Sequence, residues 1–142
     1  MISLIAAAAM IVPSGEVFQC RPTHVYDGDG PIWCAEGPKV RISGIAAREA
    51  DGTCRPNQPC PQASAQQARD ALVNLFGGPK GRIATGHVQV RSVPMVCRSV
   101  GGAGGSRTAA WCTLADGRDL SCAMIATKMV LVWPRYWRDH RC

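Results

Sequence analysis

Residues 25–49, VYDGDGPIWCAEGPKVRISGIAARE, set an acidic turn between apolar, strand-forming runs. Asp27-Gly28 is favourable hairpin chemistry, because both residues tolerate positive φ. Phe18–Tyr26 and Ile32–Cys34 are the strands on either side of the turn, and Lys39–Ile45 is a third. That third strand carries Arg41 among apolar neighbours, where an unpaired cation is costly, so Arg41 needs an anionic partner. Glu49 at the end of the run is one candidate, giving a structural ion pair. The other is a ligand: turn acid, strand arginine and loop carboxylate together suit a hard cation and a phosphodiester.

Outward from this stretch the pattern stays mixed. Residues 50–61 are rich in Pro, Asn, Gly and Cys and read as loop. Ser64 caps a helix whose Ala68, Leu72, Leu75 and Phe76 share one face, and Gly77-Gly78 stops it. His87–Val96 alternates as a half-buried strand, Arg98–Ser106 reads as a glycine loop, and Thr108–Leu114 returns. Asp119 opens a second helix with Leu120, Met124 and Ile125 inward, and the chain closes on the basic, aromatic VWPRYWRDHRC. This order predicts an α+β, mainly β domain: a small five-stranded OB-like Greek-key barrel with two to three flanking helices.

The length of 142 residues suits one domain with a proper core. Net charge is +6, with 13 arginines among the 16 basic residues, which favours an anionic partner such as nucleic acid. The eight cysteines include no C-x-x-C pair, and His24, His87 and His140 are scattered, so a disulfide framework is expected rather than zinc. Cys97 and Cys112 flank the glycine loop, Cys20 and Cys34 bracket the first hairpin, Cys54 and Cys60 would staple a loop, and Cys122 and Cys142 remain. Residues 1–14 read as a signal peptide cut after Ser14, leaving 15–142 as the mature domain, secreted or periplasmic; a mis-called start codon and a buried first strand are the rival readings.

The motif order resembles the staphylococcal nuclease (thermonuclease) family. The matching pieces are Asp27-Gly28-Asp29-Gly30, Val40-Arg41-Ile42-Ser43-Gly44-Ile45-Ala46-Ala47-Arg48-Glu49, Ser106-Arg107-Thr108, Ala115-Asp116-Gly117 and Trp133-Pro134-Arg135-Tyr136. The resemblance spans roughly Phe18 to Tyr136. It implies an OB-fold, Ca²⁺-dependent hydrolysis of DNA or RNA, and a monomer acting on single-stranded or flexible nucleic acid. On this resemblance Arg41 and Arg107 grip the phosphate, Glu49 is the general base, Asp29 is a calcium ligand and Tyr136 contacts a nucleotide.

Departures fall inside the expected site. Ala46 stands where the family has a second aspartate ligand, Gly30 where it has threonine, and Arg48 where it has proline. Fewer carboxylates predict weaker Ca²⁺ binding. Arg48 either pairs with Glu49 and lowers its basicity, or supplies charge to the phosphate. Arg135, Arg138 and Arg141, interleaved with Tyr136 and Trp137, would track a single strand or form a solvated turn. Trp111, Trp133 and Trp137 read as packing residues. An enzyme and a non-hydrolytic anion-binding relative both fit this pattern.

Overall fold

The computed structural model describes residues 10–83 and 86–142. The signal-peptide expectation falls largely on residues 1–9, outside this range. The described Met10–Ser14 stretch lies against the sheet, where the Val12 amide donates to Thr108 Oγ1 and its carbonyl accepts from Ser99 Oγ.

The protein is mainly β. Its strands are β1 (Val17–Cys20), β2 (Pro22–Val25), β3 (Ile32–Cys34), β4 (Lys39–Ile42), β5 (Ile45–Ala46), β6 (Pro79–Arg82), β7 (Val88–Val90), β8 (Met95–Gly102), β9 (Arg107–Thr113) and β10 (Leu131–Val132). Three helices complete it: α1 (Ala65–Leu75), α2 (Leu120–Ala126) and α3 (Pro134–Trp137). Eight strands form one curled sheet in the order β1-β8-β9-β4-β3-β2-β7-β6, and β5 pairs with β10 in a second, two-stranded sheet. β4 and β9 run parallel, and the other pairings are antiparallel. Only Arg21 separates β1, at one sheet edge, from β2, five places away in the order.

Period-two alternation sets which faces are buried. Val40, Ile42, Thr108, Ala110 and Cys112 point into the core with Val25, Ile32, Met95 and Cys97. Leu72 of α1 and Leu120 and Met124 of α2 close it from outside the sheet. The expected cap on α1 is present as a full capping box, Ser64 accepting from the Gln67 amide while the Gln67 side chain accepts from the Ser64 amide. Asp119 caps α2 by accepting the Cys122 amide.

All four expected disulfides are seen: Cys20–Cys34, Cys54–Cys60, Cys97–Cys112 and Cys122–Cys142. Cys97 lies directly opposite Cys112. Cys20 reaches Cys34 because a bulge between Pro22 and His24 shifts the first hairpin's register.

Two expectations about local structure need correction. The predicted strand His87–Val96 breaks at residues 91–94, giving β7 and the start of β8. The predicted glycine loop Arg98–Ser106 is largely strand, since β8 runs through Gly101 and Gly102 and turns only at 103–106. Pairing of Gly101 with Ala109 and of Gly102 with Thr108 of β9 overrides the weak strand propensity of glycine.

Candidate functional site

The parallel register of β4 and β9 places Lys39 opposite Arg107 and Arg41 opposite Ala109. Because Val40 and Thr108 face inward, Arg41 and Arg107 project from the same outer face, two residues (about 7 Å) out of step. They open into a cleft of about 760 Å³ that Asp27, Asp29, Glu49, Arg55, Tyr136 and Arg138 also line. Arg41, Glu49 and Arg107, far apart in sequence, therefore share one cleft.

Tight backbone packing holds the acidic turn. A Cβ on Gly28 would sit 2.4 Å from Ala68 Cβ of α1, and one on Gly30 would sit 2.5 Å from the Val40 carbonyl. Gly30 has φ of +107°, a conformation closed to the threonine of the resembled family. The Asp29 carbonyl accepts from the Ile42 amide, which draws the turn down onto β4. Arg41 Nη2 consequently donates to Asp29 Oδ2 at 3.1 Å, and also to the Ile45 carbonyl at 2.9 Å. Nη1 donates to the Ile42 carbonyl. Arg41's anionic partner is thus Asp29, not Glu49.

Glu49 has a different partner from the one expected. Arg55 Nε lies 3.0 Å from Glu49 Oε1. Arg48 turns away, its Nε donating to the Pro61 carbonyl at 3.0 Å and Nη1 to the Gly52 carbonyl at 2.8 Å. This overturns the expected Arg48–Glu49 pair, and Arg48 is not among the residues lining the cleft. Two unsatisfied loop carbonyls outcompete a neighbour whose side chain points the other way. Arg55 sits inside the Cys54–Cys60 staple, and Gln58 of the same loop donates to the Ala47 carbonyl. Sequence reading treated this segment only as loop; an arginine between two closely spaced cysteines was the available signal.

Arg107 has no carboxylate partner among the described residues. Its Nη2 donates to the Ala103 carbonyl at 2.7 Å and Nε to Gly104 at 3.3 Å. Arg135 leans over the Tyr136 ring and does not line the cleft, whereas Arg138 does. The three tryptophans both pack and line it. Trp111 meets Trp137 edge-on at 5.7 Å, Trp133 meets Tyr136 edge-on at 4.9 Å, and the Arg41 guanidinium lies 6.0 Å from the Trp133 ring centre. Gly44 permits this, because a Cβ there would sit 2.6 Å from Trp111 and 2.7 Å from Trp137. His140 stacks on Trp111 at 3.7 Å and pairs with Asp119 at 2.9 Å. His24 and His87 group instead with Trp33 and Tyr26 on the outer face of β2 and β3, and burial lowers both imidazole pKa values.

The acids of the turn are electrostatically strained. Burial, then the neighbouring Asp29 charge, pushes Asp27 up to about 7, against the opposing pull of the Gly28 amide. Burial also raises Asp29, with Arg41 the main counterweight.

The carboxylates as arranged do not fit Ca²⁺, which takes six to eight oxygens. Asp29 is engaged by Arg41 and Glu49 by Arg55. Among the described residues, Asp27, Asp29 and Glu49 do not bring three ligand oxygens within 4.8 Å of one another. Ala46 is wholly buried in β5, opposite Leu131 of β10.

No family model, curated protein or solved structure matches this chain. No helix among the described residues is long and apolar enough to cross a membrane.

Proposed function

We propose that the cleft binds a phosphodiester of single-stranded or flexible nucleic acid and hydrolyses it, on an exported, disulfide-stapled OB-like barrel. The observation that carries this reading is the convergence of Arg41, Glu49 and Arg107 on one cleft. The barrel reading is supported by the near-continuous segment Val17–Val25, which pairs with β8 at its start and β3 at its end. With β3, β4 and β9 between these ends, that shared segment would close the circuit β1/β2-β3-β4-β9-β8 in the proposed barrel.

In this reading Arg107, held only by turn carbonyls, takes a non-bridging phosphate oxygen. The incoming anion also competes for Arg55, which releases Glu49. The freed carboxylate removes a proton from the attacking water as oxygen bonds to phosphorus and the P–O bond to the leaving oxygen breaks. Arg41 stays anchored by Asp29 and faces the charge that builds on the five-coordinate phosphorus. Tyr136 and Trp133 flank the nucleoside side.

A second reading, binding without hydrolysis, draws support from the ion pairs that occupy Asp29 and Glu49. One assay separates the two. The oxidised protein is incubated with single-stranded DNA and RNA in Ca²⁺, Mg²⁺, Mn²⁺ or EDTA. Cleavage that disappears in Glu49→Gln supports the hydrolase. Salt-sensitive binding with no cleavage in any condition rejects hydrolysis and leaves the binder.

A further inference from the structure

We propose that the Cys122–Cys142 disulfide masks a zinc site whose ligands, once the bond is reduced, are Asp119, Cys122, His140 and Cys142. Asp119, Cys122 and His140 bring their ligand atoms within 4.8 Å of one another, and they are the sole such trio among the described residues. His140 Nε2 lies 2.9 Å from Asp119 Oδ2 and 3.9 Å from Cys122 Sγ. Cys142 Sγ is bonded to Cys122 Sγ, so it starts at the same spot. Tetrahedral zinc with sulfur at about 2.3 Å and nitrogen or oxygen at about 2.0–2.2 Å sets neighbouring donors roughly 3.3–3.8 Å apart. The Asp119–His140 and Cys122–His140 separations need to change by less than about 1 Å to meet that geometry, while the two sulfurs, 2.12 Å apart when bonded, must move roughly 1.7 Å farther from each other.

The frame around these atoms is already built. Asp119 is fixed as the cap of α2, with Oδ1 on the Cys122 amide, leaving Oδ2 for a metal. Three residues on, Cys122 sits in the first turn of the same helix. The His140 ring is stacked on Trp111 at 3.7 Å and meets the edge of Trp137, which fixes its plane. Of the four, only Cys142 is itself exposed, so it can move to complete the tetrahedron. Thiolate and imidazole donors select zinc over calcium or magnesium. In the oxidised state neither sulfur is a thiolate and the set is reduced to an Asp–His pair.

The redox step needs a dithiol reductant, which becomes a disulfide as its two electrons and two protons convert Cys122–Cys142 into two thiols. Zinc then displaces the thiol protons and takes the His140 Nε2 lone pair, the imidazole keeping its proton on Nδ1. The staple and the metal are therefore alternative ways for the same side chains to tie the last segment to α2. The site does not depend on the hydrolytic reading of the arginine cleft, although His140 also forms part of that cleft's wall.

The test avoids general reduction. Cys142→Ser frees the Cys122 thiol while the other three disulfides remain. Zinc affinity is measured by competition with a chromophoric chelator, and Co²⁺ is added as a spectroscopic probe. Cys142→Ser should bind one equivalent of Zn²⁺ at least about tenfold tighter than the oxidised wild type. It should also show a thiolate-to-cobalt charge-transfer band with intense four-coordinate visible bands. Adding His140→Ala to that background should weaken binding about tenfold or more. Should circular dichroism show Cys142→Ser unfolded, Cys54→Ser/Cys60→Ser treated with a dithiol gives the same comparison, with all four proposed ligands free. Zinc binding no tighter than in the oxidised wild type, or tight binding indifferent to His140→Ala, overturns the proposal.

Discussion

Arg55 Nε lies 3.0 Å from Glu49 Oε1, so the carboxylate proposed as base rests against a cation delivered by a seven-residue disulfide loop. Both partners are substantially solvated, and the pair contributes at most about 1 kcal/mol to stability. Its role in the proposed reaction is to hold Glu49 until an anion competes for the guanidinium. Arg55→Ala should leave the melting temperature nearly unchanged and raise KM. A KM identical to wild type would show that the anion does not compete for Arg55.

The two arginines on the outer face of β4 and β9 should separate cleanly on mutation. Arg41 neutralises the partly buried Asp29 and fills two backbone carbonyls, so Arg41→Ala should cost about 2–4 kcal/mol of stability. Arg107→Ala removes only turn contacts and should cost under about 1 kcal/mol. Oligonucleotide affinity should fall about tenfold or more in Arg107→Ala, with a flatter salt dependence. Denaturant titration and binding isotherms on both variants check this, and equal stability losses would contradict the assigned roles.

Asp27 gives the fold a pH signature. Its folded pKa of about 7 lies above the unfolded value of 3.8, so the folded state holds the extra proton between them. The associated stability is fully present below about pH 4 and is lost as pH rises through about 7. Asp29, raised in the same direction, adds to the trend. Asp27→Asn keeps an acceptor for the Gly28 amide and removes the titration. The variant should gain about 2–4 kcal/mol over wild type at pH 8 and match it at pH 4. A constant difference across that range would locate the titration elsewhere.

Ala46→Asp restores the carboxylate of the resembled family at a side chain that is wholly buried beside β10. The expected outcome is destabilisation of several kcal/mol rather than a gain in calcium-dependent cleavage. Thermal melts with and without Ca²⁺ distinguish the two; a calcium-dependent rise in melting temperature would mean that the carboxylate reaches an ion.

What the sequence revealed and what it hid follow from the range of the interactions. Period-two alternation and the Ser64 cap are local, so β4, β9 and α1 were legible. Arg41's need for an anion was also legible from its apolar neighbours. Its choice of Asp29 over Glu49 was not, because it depends on the turn curling back to accept the Ile42 amide. That Arg55, rather than Arg48, pairs with Glu49 was hidden for a similar reason: loop carbonyls of Gly52 and Pro61 capture Arg48, and the Cys54–Cys60 closure aims Arg55. Along the last segment, Arg138 rather than Arg135 reaches the cleft once α3 fixes the direction of each side chain.

The four covalent ties are unevenly protected. Cys20–Cys34 and Cys97–Cys112 lie within the core, whereas Cys60 and Cys142 stand in contact with solvent. A mild thiol would thus loosen the segments carrying Arg55 and His140 while the strands beneath keep their cross-links. On the proposed reading, the hold of Arg55 on Glu49 would be lost well before the scaffold lost its shape, so surrounding thiol levels, rather than melting, would set the working lifetime of this molecule.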